Sequence, residues 1–184
     1  MPDDVDDLLT QLARRIAEPP APLTMPNIPG LEIRTIELDL GFEPQWPTPP
    51  PLRPPCDHAS VDATEAALHV TLPPLLRRLY TEVGDGGYGP GDGIVGVAEL
   101  VDLHHSYAVE LAVEQELGEW PAGLVPFCEL DQTLMACIDC SEPAGPIVTF
   151  EVEEIDFDEG TGFDEAFAAR APSLEGWLRA WLAG

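Results

Sequence analysis

The sequence contains no lysine, and its 8 basic side chains, all arginine, face 34 aspartates and glutamates. The resulting formal net charge of −26 would repel a phosphate backbone, so we expect no direct binding to nucleic acid. A basic protein partner would instead be attracted and its approach steered. A second interpretation stays open, in which the acidic charge serves solubility and the missing lysine reflects a coding bias.

The sequence also lacks long apolar runs and a basic N-terminus. No run approaches the roughly 18 apolar residues of a membrane span. The chain begins with acidic residues, where a secretory signal peptide would be basic. We therefore expect a cytoplasmic protein without membrane contact. Its 4 cysteines are expected to be reduced thiols in such a compartment.

The first part of the chain differs in pattern from the rest. Residues 3–17 carry apolar side chains at helical spacing, and residues 31–40 alternate as in a strand with a bulge. Residues 44–55 then hold seven prolines, which predicts an extended linker or loop. We interpret residues 1–57 as an N-terminal extension and residues 58–184 as one domain.

The pattern after residue 57 is regular and predicts an α+β fold. Helical spacing is predicted over 62–83, with Pro73 and Pro74 opening a new helix, and again over 99–117 and 173–182. Strands are predicted over 94–97, 124–130, 133–140 and 147–152. Because the strands are grouped and the helices flank them, we predict a mostly antiparallel sheet, a β-meander, with helices packed on it.

A glycine-rich loop follows the second predicted helix, with six glycines between residues 84 and 93. A phosphate-binding loop of the Walker type requires a lysine, which this chain lacks, and a dinucleotide fingerprint follows a strand, whereas here a helix precedes. The loop is better explained as a helix C-cap at Gly84 and a tight return into the next strand. No cofactor is predicted.

Metal sites and catalytic constellations are not indicated either. Cys137 and Cys140 form a CxxC pattern, but residues three apart on a strand point to opposite faces. His104 and His105 are adjacent on a helix and splay by about 100°, so they cannot chelate together. A calcium-loop pattern beginning at Asp156 lacks its final glutamate. With no Ser-His-Asp or Cys-His arrangement, we expect no enzyme activity.

The densest group of acids covers residues 151–165, with eight acids in fifteen positions. Apolar residues are interleaved with these acids. Two interpretations remain open: a solvated edge that resists strand-to-strand aggregation, or a docking surface for a cationic partner.

Four segments of the chain resemble the SUKH superfamily, which includes fungal cell-wall regulators of the Smi/Knr type and many bacterial immunity proteins. They are Leu72-Pro-Pro-Leu-Leu-Arg-Arg-Leu-Tyr80, the glycine loop from Val83 to Gly91, Val125-Pro-Phe-Cys128 with Ala136-Cys-Ile-Asp139, and Leu174 to Leu182. Asp92 stands where the family has an aromatic residue, and Leu130-Asp131 replaces its Trp-Gly.

The resemblance implies a non-catalytic α+β domain and, for many bacterial members, neutralisation of a toxin, often a nuclease. We therefore expect a basic protein partner, in the first place a cognate toxin whose basic site is masked. The alternative is a regulatory or scaffold binding module, whose proline-rich segment 44–55 would be offered to a partner. The predicted partner-binding residues are Tyr88, Asp92, Glu151, Glu153, Glu154, Asp156, Phe157, Asp158, Glu159 and Phe163.

Overall fold

The computed structural model describes residues 2–17, 52–111, 119–151 and 163–183. The strand predicted over 31–40 and most of the proline-rich segment lie outside these residues. Among the helices in the described ranges, none is long and apolar enough to cross a membrane.

Five α-helices are formed by the described residues. They are α1 (Pro2–Ala17), α2 (His58–Leu68), α3 (Pro74–Arg78), α4 (Glu99–His105) and α5 (Leu174–Ala183). Helix α3 continues as a π-helical turn over Leu79–Val83, and α4 continues as a π-helical segment over Ser106–Leu111. The helical predictions are confirmed over these ranges, although α2 begins earlier than predicted, at His58.

The break between α2 and α3 has a local cause on both sides. Helix α2 ends at His69, whose φ of 57° is left-handed. The Glu65 carboxylate then accepts a 2.7 Å hydrogen bond from the Leu72 amide and pairs with Arg77 of α3. Pro74 begins the new helix at a position where no amide hydrogen is needed, as predicted.

The five strands form one antiparallel sheet in chain order, which confirms the predicted meander. They are β1 (Gly93–Ile94), β2 (Leu124–Glu129), β3 (Leu134–Asp139), β4 (Ile147–Glu151) and β5 (Phe167–Ala171). Strand β1 is shorter than the predicted range 94–97. Strand β5 was not predicted, because its sequence is rich in alanine and the strand forms by pairing with β4, where Ala169 lies opposite Val148.

The two faces of the sheet bury separate apolar clusters, and β3 contributes to both by alternation. Ala136 and Ile138 face the first cluster, whereas Met135 and Cys137 face the second. The first and larger cluster is completed by side chains of all five helices, among them Leu8, Leu12, Val61, Leu76, Leu100, Trp177 and Leu178. The second is a smaller, aromatic cluster.

Helix α1 packs on the domain even though residues 18–51 separate it from α2. It contacts α5 and the π-helical turn after α3. Its Leu8 and Leu12 side chains are fully buried, and Leu9 is 7% exposed. The first helix of the predicted extension therefore shares the core of the domain.

Candidate functional site

The glycine loop is a framework of backbone contacts. Gly84 ends the π-helical turn, and its amide donates to the Leu79 carbonyl at 3.0 Å, which confirms the predicted helix C-cap. The Asp85 carboxylate accepts a 2.7 Å hydrogen bond from the Val97 amide. This bond joins the start of the glycine loop to the segment that follows β1. The Tyr80 hydroxyl, inside the core, donates to the Val95 carbonyl at 3.1 Å.

Tyr88 is a correction to the predicted partner-binding set. The side chain is 6% exposed and belongs to the first cluster. Its hydroxyl donates to the Gly84 carbonyl at 3.4 Å, and burial raises its pKa. An aromatic residue among glycines suggests exposure, but here the small neighbours let the loop fold around the ring, so Tyr88 is not available as a surface anchor.

Acidic residues from a loop, a turn and the ends of two strands lie at one end of the sheet. The Asp92 amide donates to the Glu129 carbonyl at 2.8 Å, which places the end of the glycine loop beside the end of β2. Asp131 lies in the following β2–β3 turn, where its amide donates to the Leu134 carbonyl. Leu134 in turn pairs with Glu151 at the end of β4. We call Asp92, Glu129, Asp131 and Glu151 the acidic end of the sheet.

These four carboxylates make no ion pair with any residue in the described ranges, and Glu151 alone is half-buried while the others are exposed. Hydrogen bonds from the amides of Thr133 and Leu134 lower the pKa of Asp131, so it stays charged. These charges also act on a neighbouring core residue. The pKa of the Cys128 thiol is raised mainly by burial and further by the negative charges of Glu129 and Asp92. The end of the sheet is thus a concentrated, uncompensated negative charge.

The predicted acidic segment, residues 151–165, begins at this same end with Glu151. The predicted residues Glu153, Glu154, Asp156, Phe157, Asp158 and Glu159 lie outside the described residues. The structure therefore places Asp92 and Glu151 at the same end of the sheet, with β2 and β3 between them. Glu129 and Asp131 lie at this end too and were not predicted, because a strand end and a turn acid carry no sequence signal of a shared sheet end.

Phe163 is the second correction. Its side chain is 3% exposed and lies in the second cluster, so the ring is not available as a surface anchor. The ring centroid of Trp120 lies 5.2 Å from those of Phe150, Phe163 and Phe167. In the sequence, Phe163 is an aromatic residue among acids. In the fold, its buried ring fixes the chain to the second cluster just before β5.

Trp120 is the central side chain of this aromatic cluster. It also contacts Tyr107 and, edge-on, His104 of α4. Its indole nitrogen donates to the Leu124 carbonyl at 2.7 Å, which satisfies the polar atom and fixes the ring. The only sequence signal was its position between Glu119 and Pro121, where it was not distinguished from a helix end.

Cys137 and Cys140 lie as the strand geometry predicted. Cys137 faces the second cluster and Cys140 packs against the first, so their thiols lie on opposite faces of the sheet. All four cysteines are free. Within the described parts of the chain, no three His, Cys, Asp or Glu side chains are grouped as metal ligands would be.

The comparison with protein families identifies the relationship. Residues 55–180 match the model of the SMI1/KNR4 family, also called SUKH-1. The chain belongs to this family. The match includes the glycine loop, the five strands and the acidic end, and it begins after α1. A search of curated proteins found no match.

Proposed function

We propose that this SUKH-type protein is a non-catalytic immunity protein of the cytoplasm that neutralises a cognate toxin by covering the toxin's basic site. The observation that supports this most directly is the acidic end of the sheet. Four acids that form no ion pair among the described residues lie at this end, and the most acidic segment of the sequence begins at the same place.

The mechanism follows from the charge and from the rigidity of the site. Complementary charge accelerates encounter with a basic cleft, such as that of a nuclease. The carboxylates are carried by paired strands and a hydrogen-bonded turn, so the backbone loses little conformational entropy when they bind. Since Tyr88 and Phe163 are buried, the apolar anchors of the interface are expected among the interleaved residues of the acidic segment, with Phe157 foremost.

The first experiment is co-expression with the product of the neighbouring gene. A toxic product that becomes harmless when this protein is present supports the proposal. A product that is harmless by itself, or whose toxicity is unchanged, contradicts it for this protein.

The second experiment locates the interface. The variant D92N/E129Q/D131N/E151Q keeps the shape and the hydrogen-bond acceptors while removing four charges. We expect the association rate to fall by about tenfold or more and to become less sensitive to salt, because steering is the main contribution of rim charges. Stopped-flow mixing with the toxin at several salt concentrations measures both.

The matched control removes four exposed acids from other parts of the surface, as D7N/D102N/E119Q/E142Q. It has the same net charge as the first variant. An equal loss of association rate in both variants would mean that overall charge, and not the acidic end, attracts the partner.

The alternative function is a regulatory or scaffold binding module whose proline-rich segment is offered to a partner. It is favoured by Leu52, which is 47% exposed at the end of that segment. Deletion of the extension is a poor test, because it also removes α1, whose Leu8 and Leu12 side chains are buried against the domain. Replacing Pro47, Pro49 and Pro50 by alanine is cleaner: loss of partner binding with unchanged melting temperature supports the alternative, and retained binding contradicts it.

A further inference from the structure

Helix α1 lies in a groove formed by α5 and the π-helical turn that follows α3. The partly buried Leu75 lies beside Val5 of α1, and the partly buried Val83 lies beside Leu9 and Ala13. Helix α1 contributes Leu8, Leu9 and Leu12, spaced as one face of a helix. This is the geometry by which an amphipathic helix binds a hydrophobic groove.

Two arginines hold α1 in position from the walls of the groove. Arg78 Nη2 donates to Asp6 Oδ1 at 2.8 Å, and Arg179 Nη2 donates to Asp4 Oδ1 at 2.5 Å. Arg179 also donates to the Asp4 carbonyl at 2.8 Å. In a chain with only 8 basic residues, two are committed to the first turns of this one helix.

The contacts across this interface can be broken without leaving polar groups stranded. Arg78 also pairs with Glu82 at 2.7 Å, and Arg179 also pairs with Glu175 at 2.9 Å, so both arginines keep a partner when α1 leaves. In the described residues, no backbone–backbone hydrogen bond joins α1 to the rest of the fold, because a helix forms its backbone hydrogen bonds within itself. A β-strand in the same place would lose its backbone hydrogen bonds to the neighbouring strand.

The fit of α1 in the groove is also incomplete. A cleft of about 380 Å³, lined by Val5, Leu75 and Ser173, and another of about 370 Å³, lined by Leu9, Ala13 and Val83, both border the Asp6–Arg78 pair. The family match covers residues 55–180, so α1 lies outside the matched residues. Residues 18–51 connect the two covalently.

From these observations we propose that α1 is a tethered ligand of this domain and not a fixed part of it. The groove between α5 and the π-helical turn is a helix-docking site, and α1 is its exchangeable occupant. The helix that fits the site has acids in its first two turns, opposite Arg179 and Arg78, followed by leucines at helical spacing. This inference is independent of the toxin hypothesis, because it concerns a face other than the acidic end.

The test begins with the full chain carrying a specific protease site inserted within residues 18–51. The native protein is cleaved, and a fluorescently labelled peptide of residues 1–17 is added. We expect the cleaved α1 to exchange with the labelled peptide, so that anisotropy rises, while circular dichroism shows that the domain stays folded. The uncleaved chain should bind the labelled peptide far more weakly, because its own α1 competes from within the molecule.

Two variant peptides serve as controls. Leu12→Asp in the peptide should abolish binding, because the fully buried leucine would be replaced by a charge. The D4N/D6N peptide should bind roughly two- to tenfold more weakly, as expected for two partly exposed ion pairs, and its binding should depend less on salt.

Three outcomes would overturn the proposal. The cleaved α1 could fail to exchange until the whole domain unfolds, which would make it a fixed element of the core. The labelled peptide could bind cleaved and uncleaved protein equally, which would place it outside the groove. The Leu12→Asp peptide could bind as well as the natural one, which would show that the apolar face is not recognised.

Discussion

Two glycines with the same left-handed φ, Gly86 and Gly123, differ in how closely other atoms approach them. Gly86 has a φ of 82°, and a Cβ built on it would lie 2.6 Å from the Ile94 carbonyl oxygen. Gly123 has the same φ of 82°, but its Cβ would find its nearest neighbour at 3.6 Å. The two positions share the backbone requirement, and only Gly86 also needs the space.

That difference predicts unequal effects of substitution by alanine. Gly123→Ala should lower the free energy of unfolding by about 1–2 kcal/mol, the cost of a left-handed conformation for a residue with a Cβ. Gly86→Ala should lower it by about 1–3 kcal/mol more, because the backbone of Ile94 must also move. Urea denaturation of both variants measures the difference, and equal losses would show that the close approach carries no cost.

The cysteines give a second prediction at this scale. Burial raises the pKa of all four thiols, to about 12 for Cys140 and by less for Cys56. Since the thiolate is the reactive form, native protein at pH 8 should react slowly with a disulfide reagent, with Cys56 reacting first. Cys56→Ser should remove the earliest phase, whereas Cys140→Ser should leave it intact. All four thiols should react in guanidinium, and a fast phase that survives Cys56→Ser would contradict the assignment.

At the scale of the elements, the helices and strands with a strong apolar pattern were predictable from the sequence. Helices α1 and α5 have apolar residues spaced to match the face that each one buries. The three meander strands β2, β3 and β4 are nearly continuous apolar runs, as strands of a sheet buried on both faces are. Strand β5 was not, since Phe167-Ala-Ala-Arg-Ala171 has weak strand preference and depends on pairing with β4. The π-helical continuations also left no sequence signal.

The candidate site shows the same division. An acidic segment beginning at the end of β4 was visible in the sequence, but Asp92 and Glu151 are far apart in the chain and share one end of the sheet only through the register of β1 to β4. Glu129 and Asp131 join them for the same reason. Tyr88 and Phe163 were misassigned because local composition does not reveal which aromatic rings the tertiary structure buries.

The start of α5 permits a test of one element's boundary. Ser173 precedes the helix, and its hydroxyl oxygen accepts a 3.1 Å hydrogen bond from the Gly176 amide, as an N-cap residue does. Ser173→Ala should lower the free energy of unfolding by about 1 kcal/mol, because the amide loses its acceptor. Ser173→Thr keeps the acceptor and should cost much less. Equal losses for the two variants in urea denaturation would show that the cap does not stabilise α5.

At the scale of the whole molecule, attraction and repulsion between charges are very unequal. Arg53, Arg77, Arg78 and Arg179 each bind at least one carboxylate. With 34 acids and 8 arginines, most of the negative charge cannot be paired. Such self-repulsion destabilises the compact state, although it favours solubility. The same imbalance that would steer a basic partner therefore acts against the fold.

This imbalance predicts that salt stabilises the protein. Raising NaCl from about 10 mM to about 200 mM shortens the screening length from about 30 Å to below 10 Å, which weakens the long-range repulsion more than the short arginine–carboxylate contacts. We expect the melting temperature to rise by roughly 5 °C, where each 1 kcal/mol corresponds to about 2–4 °C for a chain of this size. Thermal denaturation followed by circular dichroism measures the shift. The D92N/E129Q/D131N/E151Q variant, with four fewer unpaired charges, should melt higher at low salt and respond less to added salt. A melting temperature that falls with salt would mean that the arginine pairs, and not the repulsion between acids, dominate the electrostatics of the fold.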